Sequence, residues 1–106
     1  MVKVVIHVDE AVKVQLAIGN VQNLLAALPT SEVIVVVNGP AITTLPAGAW
    51  ANLLKQLPQV ELDACHNAMV SHQITATDLP AGVTVVAAGV VRIVELQGQG
   101  FAYLKP

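Results

Sequence analysis

One thiol, three imidazoles and a few carboxylates and amides are what this chain of 106 residues offers to chemistry. Cys65 is its one strong nucleophile. Attack on sulfur, or carriage of a persulfide, is what a lone cysteine supplies once its thiol is ionised. Two devices favour the ionised form here: the N-terminus of a helix starting near Asn67, and a neighbouring imidazole, His7 or His66. The competing reading treats Cys65 as a small buried hydrophobe. His7 is a candidate base and a candidate neutral partner of Cys65; as a core residue it would instead bond a backbone carbonyl. Cys65, His66 and His72 match no zinc spacing, so no metal is expected. No cofactor is expected either, because no glycine-rich nucleotide or phosphate loop is present.

Elements of secondary structure must bring these residues together. Val2–Val8 is a β-branched run with the composition of a buried strand. Asp9 follows as a helix N-cap. Val14, Ile18, Val21, Leu25 and Leu28 then recur at helical spacing until Pro29. Glu32–Val37 is a second strand, stopped by the turn signal Asn38-Gly39-Pro40. Trp50, Leu53, Leu54 and Leu57 mark a second helix, with Trp50 in packing or in an interface. Val60–Cys65 is a third strand, Asn67–His72 a short helix with Asn67 as its cap, and Val83–Ala87 a fourth strand. Ala88–Gln97 has the valines of a strand, but Val90, Val91 and Val94, with Arg92 and Glu95 outward, suit a helix stopped by Gly98. Phe101–Leu104 is a last short strand.

Strands alternating with helices predict βαβ units and a mostly parallel five-stranded sheet with helices on both faces, an α/β/α sandwich in a single domain, 1–106. Strands one, two and four are nearly continuous in apolar residues, as strands covered on both faces are. Right-handed crossovers put every carboxyl end on one sheet edge, where ligands bind in open α/β sheets. That edge collects His7 and Asp9, Asn38 and Gly39, Cys65, His66 and Asn67, and the backbone at Ala88 and Gly89.

Composition bounds the partners. With five basic and seven acidic residues and no charge run, nucleic acid is excluded as an expected partner. Apolar residues reach 55% and charged residues only 11%. A small domain needs more polar surface than that unless part of its surface is covered. No apolar run approaches the ~20 residues of a spanning helix, so the excess is read as subunit interface rather than membrane. One cysteine forms no internal disulfide, no Asn-x-Ser/Thr acceptor occurs, and Lys3 leads directly into a strand pattern without a secretory leader. These point to the cytoplasm.

The segments His7-Val8-Asp9-Glu10, Asn38-Gly39-Pro40-Ala41-Ile42, Cys65-His66-Asn67-Ala68-Met69, Ala88-Gly89-Val90-Val91 and Tyr103-Leu104-Lys105-Pro106 together resemble the small DsrE/DsrF-like proteins, in order and along essentially the whole chain. The resemblance implies a three-layer fold with strand order 4-3-2-1-5, which would make the ends of strands one, two and three neighbours. It also implies homo-oligomers, commonly trimers or hexamers, and sulfur-relay protein partners, with the persulfide-carrying role falling on Cys65. Three functions stay open: a sulfur carrier, a non-catalytic small-ligand-binding module, and a structural oligomer in which Cys65 is merely buried.

Overall fold

Valine and isoleucine fill the first two strands, and their stiff, branched side chains suit a pleated surface packed on both sides. In the computed structural model, which describes residues 1–106, these strands are β1 (Lys3–Val8) and β2 (Glu32–Val37). The remaining elements are β3 (Glu61–Cys65), β4 (Thr84–Val86) and β5 (Ala102–Leu104), with helices α1 (Val14–Ala27), α2 (Gly48–Gln56), α3 (His66–Ser71) and α4 (Gly89–Gly98) between them. All four strand pairings are parallel, and the sheet runs β4-β3-β2-β1-β5.

Side chains alternate between the two faces. Val4, Ile6 and Val8 join Val33, Val35, Val37, Leu62 and Ala64 in the larger core, under α1, α2 and α3. Trp50 is fully buried in that core and donates its indole N–H to Thr44 Oγ1 at 2.9 Å, so its role is packing. Val5, Ile34 and Val36 face the other way, against Ile93 and Leu96 of α4 and Phe101. The two layers are unequal: three helices cover one face and α4 alone covers the other.

That inequality corrects one expectation. The apolar run of β4 predicts a strand covered on both faces, yet Thr84 and Val85 are exposed. β4 is an edge strand, and α4 packs against β1, β2 and β3 instead. The ambiguous segment 88–97 is helical: Ile93 and Leu96 face inward, while Val90, Val91 and Val94 stay exposed. The helix ends with Gly98 as its last residue, and the chain turns at Gly100, whose φ of +91° only glycine adopts freely. No helix is long and apolar enough to cross a membrane.

Candidate functional site

β3 runs straight into α3, so Cys65 is at once the last strand residue and the residue preceding the helix. It is 6% exposed, packed among the larger core's residues, yet it also lines an open groove of about 310 Å³. The groove lies at the carboxyl edge of the sheet. Asn38 and Gly39 reach it from the end of β2, Asn67 and His72 from α3, and Gly89 from the start of α4. Neither helix has a side-chain cap or an acidic residue in its first turn, so their first backbone N–H groups keep their donor capacity.

His7, at the end of β1, does not touch Cys65. Its Nε2 lies 2.9 Å from Asn38 Oδ1 and its Nδ1 lies 2.7 Å from the Tyr103 hydroxyl. A carbonyl oxygen only accepts, so Nε2 carries the hydrogen, and neutral His7 then accepts from Tyr103 at Nδ1. Side chains, rather than a backbone carbonyl, satisfy this ring. The parallel pairing of β1 with β5 sets Tyr103 beside Val5, within reach of His7 on the same face.

Gly89 closes the groove against Asn38. A Cβ there would stand 3.0 Å from Asn38 Cβ, 3.1 Å from Asn38 Nδ2 and 3.3 Å from Val36 Cγ1. Gly89→Ala is expected to lose about 1 kcal/mol net, because overpacking of about 1–3 kcal/mol outweighs the helix-propensity gain. The urea midpoint checks this; an unchanged or raised midpoint would refute the tight wall. Gly39 has φ +54° and brings the chain within 3.3 Å, at its would-be Cβ, of the Asp9 carbonyl.

Besides His7, which reaches the groove only through Asn38, two sequence-predicted site residues lie outside its lining. Asp9 caps no helix and lines no part of it: its carboxylate accepts from Lys105 Nζ at 2.8 Å. That hydrogen bond holds the Asp9 carboxyl below its usual range and raises the Lys105 ammonium. The reason is β5, which delivers Lys105 beside the end of β1. His66 is the first residue of α3 and is exposed, outside the groove lining. Asn67 lines the groove but makes no capping bond, because α3 starts at His66, two residues before the start that an N-cap at Asn67 requires. No cluster of histidine, cysteine and carboxylates has the geometry to hold a metal ion.

A second polar cluster was not foreseen. Arg92, expected to point outward, turns to the sheet and donates from Nε to Asp63 Oδ2 at 2.9 Å and from an Nη to Glu61 Oε2 at 3.1 Å. Asp63 is fully buried, and its other oxygen has no partner. Burial first, then the neighbouring Glu61, pushes the Asp63 carboxyl up to about 7, outweighing Arg92. The neighbouring Asp63 first, and then Arg92, holds the Glu61 carboxyl below its usual range. A larger hollow of about 640 Å³ beside Arg92, Glu61 and Glu95 is the sheet face that α4 leaves uncovered, and no thiol lines it.

The fold is shared. A protein of unknown function from Methanobacterium thermoautotrophicum, MTH1491, matches over 100% of both chains with a TM-score of 0.90 and 32% sequence identity. The chain belongs to the MTH1491 family. The YchN protein of E. coli shares the fold, with a TM-score of 0.85 over 100% of both chains at 17% identity. No family model matches the sequence, and neither does any curated protein. Within the MTH1491 family fold, the groove at the strand ends of β2 and β3 is where this chain gathers its thiol, an amide and two helix starts.

Proposed function

We propose that this MTH1491-family chain is a DsrE/DsrF-like cytoplasmic sulfur carrier, working as a homo-oligomer and holding persulfide sulfur on Cys65. The observation that carries the reading is the placement of Cys65: a core-packed residue that nonetheless opens onto a groove lined by an amide side chain and two uncapped helix starts. In the step proposed, the Cys65 thiolate attacks the outer sulfur of a donor persulfide, R–S–SH. The donor S–S bond breaks as the Cys65 S–S bond forms, R–S⁻ departs to take up a proton, and Cys65 keeps the –SH-terminated sulfur. The reverse step passes it to an acceptor thiolate, with no net oxidation. Neutral and anionic hydrogen-bond acceptors alike would find donors in the groove.

Labelling by a small neutral alkylating reagent, native against urea-unfolded, tests this first. Cys65 is expected to react in the folded protein, and a low-molecular-weight persulfide is expected to add the mass of one sulfur atom to wild type but not to Cys65→Ser. A native thiol that reacts only as fast as the protein unfolds would refute the carrier. A groove of about 310 Å³ is also at the small end of ligand pockets, which favours a small-ligand-binding module as the second reading. A native mass spectrum with a retained ligand, alongside an inert thiol, would select it.

A further inference from the structure

The geometry points to Tyr103 and His7 as positioning residues that fix the amide of Asn38 as a hydrogen-bond donor for the negatively charged end of the reagent that reaches Cys65. This inference rests on the carrier reading and adds the class of reagent the groove prefers. Hydrogen-bond valence fixes the orientation of the amide. Asn38 Oδ1 only accepts, so the neutral His7 ring keeps its hydrogen on Nε2 and its bare Nδ1 accepts the one hydroxyl hydrogen of Tyr103, 2.7 Å away. Nε2 lies 2.9 Å from Asn38 Oδ1. Asn38 therefore has its carbonyl end consumed by His7. Its other end, Nδ2, has no acceptor among the chain's hydrogen bonds and stands against Gly89, where a Cβ would come within 3.1 Å of it.

Asn38 and Cys65 line the same groove. The absence of a side chain at Gly89 leaves room for the amide, and the His7 bond stops it from turning over. A free amide with nothing on Oδ1 would present donor or acceptor equally; this one presents a donor. An oxyanion or carboxylate on the incoming sulfur compound would be held, while an uncharged one of equal size would gain less. Tyr103 and His7 touch no reagent; they act through Asn38, from the far side of β1.

Two measurements test this. Nitrogen NMR of the His7 ring in wild type is expected to show hydrogen on Nε2 and a bare Nδ1; hydrogen on Nδ1 overturns the relay. The second compares alkylation of Cys65 by iodoacetate and by iodoacetamide, which differ in charge but not in size. The iodoacetate-to-iodoacetamide rate ratio is expected to fall about tenfold in Asn38→Ala, the lower end for one charge-assisted hydrogen bond. Tyr103→Phe, which removes one hydroxyl at an exposed edge, should lower the ratio in the same direction by less, and His7→Gln should do likewise. The double variant Asn38→Ala/Tyr103→Phe should fall no further than Asn38→Ala alone. A ratio unchanged in Asn38→Ala, with both reagents still reacting, overturns the inference and leaves the carrier reading standing. A Cys65 inert to both reagents in folded wild type overturns both.

Discussion

Arg92→Ala is expected to destabilise the fold by about 3 kcal/mol at pH 8 and by much less at pH 5. The figure is the low end for breaking a buried pair, because Arg92 keeps 25% and Glu61 40% of their side chains exposed. Asp63 by contrast is wholly buried, so without Arg92 an ionised Asp63 would face no cation from α4, only Glu61 beside it on β3. The pH dependence follows from proton counting. The folded-state value of Asp63 is raised to about 7 from 3.8, so between those values the folded chain holds more protons than the unfolded one. Stability from this group is then fully present below about 4 and is lost as pH rises through about 7. Glu61, whose folded value is lowered, works in the opposite sense: its contribution is present above the ordinary glutamate value of 4.5 and is lost on acidification below it. Removing Arg92 deepens the alkaline loss, since Asp63 then has no cation to offset burial. Urea unfolding at the two pH values measures the difference. Adding Asp63→Asn to Arg92→Ala should recover most of the loss at pH 8; an equal cost at both pH values would show that Asp63 stays ionised throughout.

Val94→Glu is expected to dissociate the proposed oligomer, raising its dissociation constant at least about a hundredfold. The motive is an imbalance. The chain is 55% apolar and 11% charged, and α4 leaves Val90, Val91 and Val94 between 55% and 68% exposed. A stable interface buries on the order of 800 Å² per partner, and a carboxylate placed at its centre without a cation would be desolvated for nothing in return. Light scattering at micromolar concentration should give a multiple of the chain mass for wild type and the single-chain mass for Val94→Glu, with unchanged circular dichroism. A wild type that already runs as a single chain would remove the oligomer and leave this valine stripe unexplained.

The period of the apolar residues made the strands and helices legible, because burial on one or two faces leaves its mark in every turn and every pleat. Val33 to Val37 could be read as a strand covered on both sides, and it is. Ala88–Gln97 was ambiguous for a physical reason: its outward valines are not paid for by core contacts within one chain, so they blur the helical pattern that Ile93 and Leu96 define. The convergence of Asn38, Cys65 and Gly89 on one groove followed from strand ends meeting on one sheet edge. What did not follow were contacts fixed by strand order rather than by strand identity. His7–Tyr103 and Asp9–Lys105 depend on β5 lying beside β1, and in each pair the partners are 96 residues apart. The resemblance implied that order, and counting the pairing outward from it would have placed Tyr103 near His7. Nothing local distinguishes Asp63 or Arg92: a carboxylate in a less apolar strand and an arginine on a helix read as solvent-facing until the register sets one beneath the other.

β5 is three residues long, exposed along its length and bonded to one neighbour only. Segments of that kind open first, long before a sheet's centre does, and amide exchange reports them as the least protected part of a fold. Tyr103 and Lys105 ride on or just past this strand, so one fluctuation frees both His7 and Asp9 together rather than separately. The hold of His7 on the amide at the groove thus loses its outer support whenever the outermost strand unzips. Fraying at the opposite side of β1 sets how long Tyr103 supports that orientation, and the exchange rate of the Tyr103 amide is the clock that would measure it.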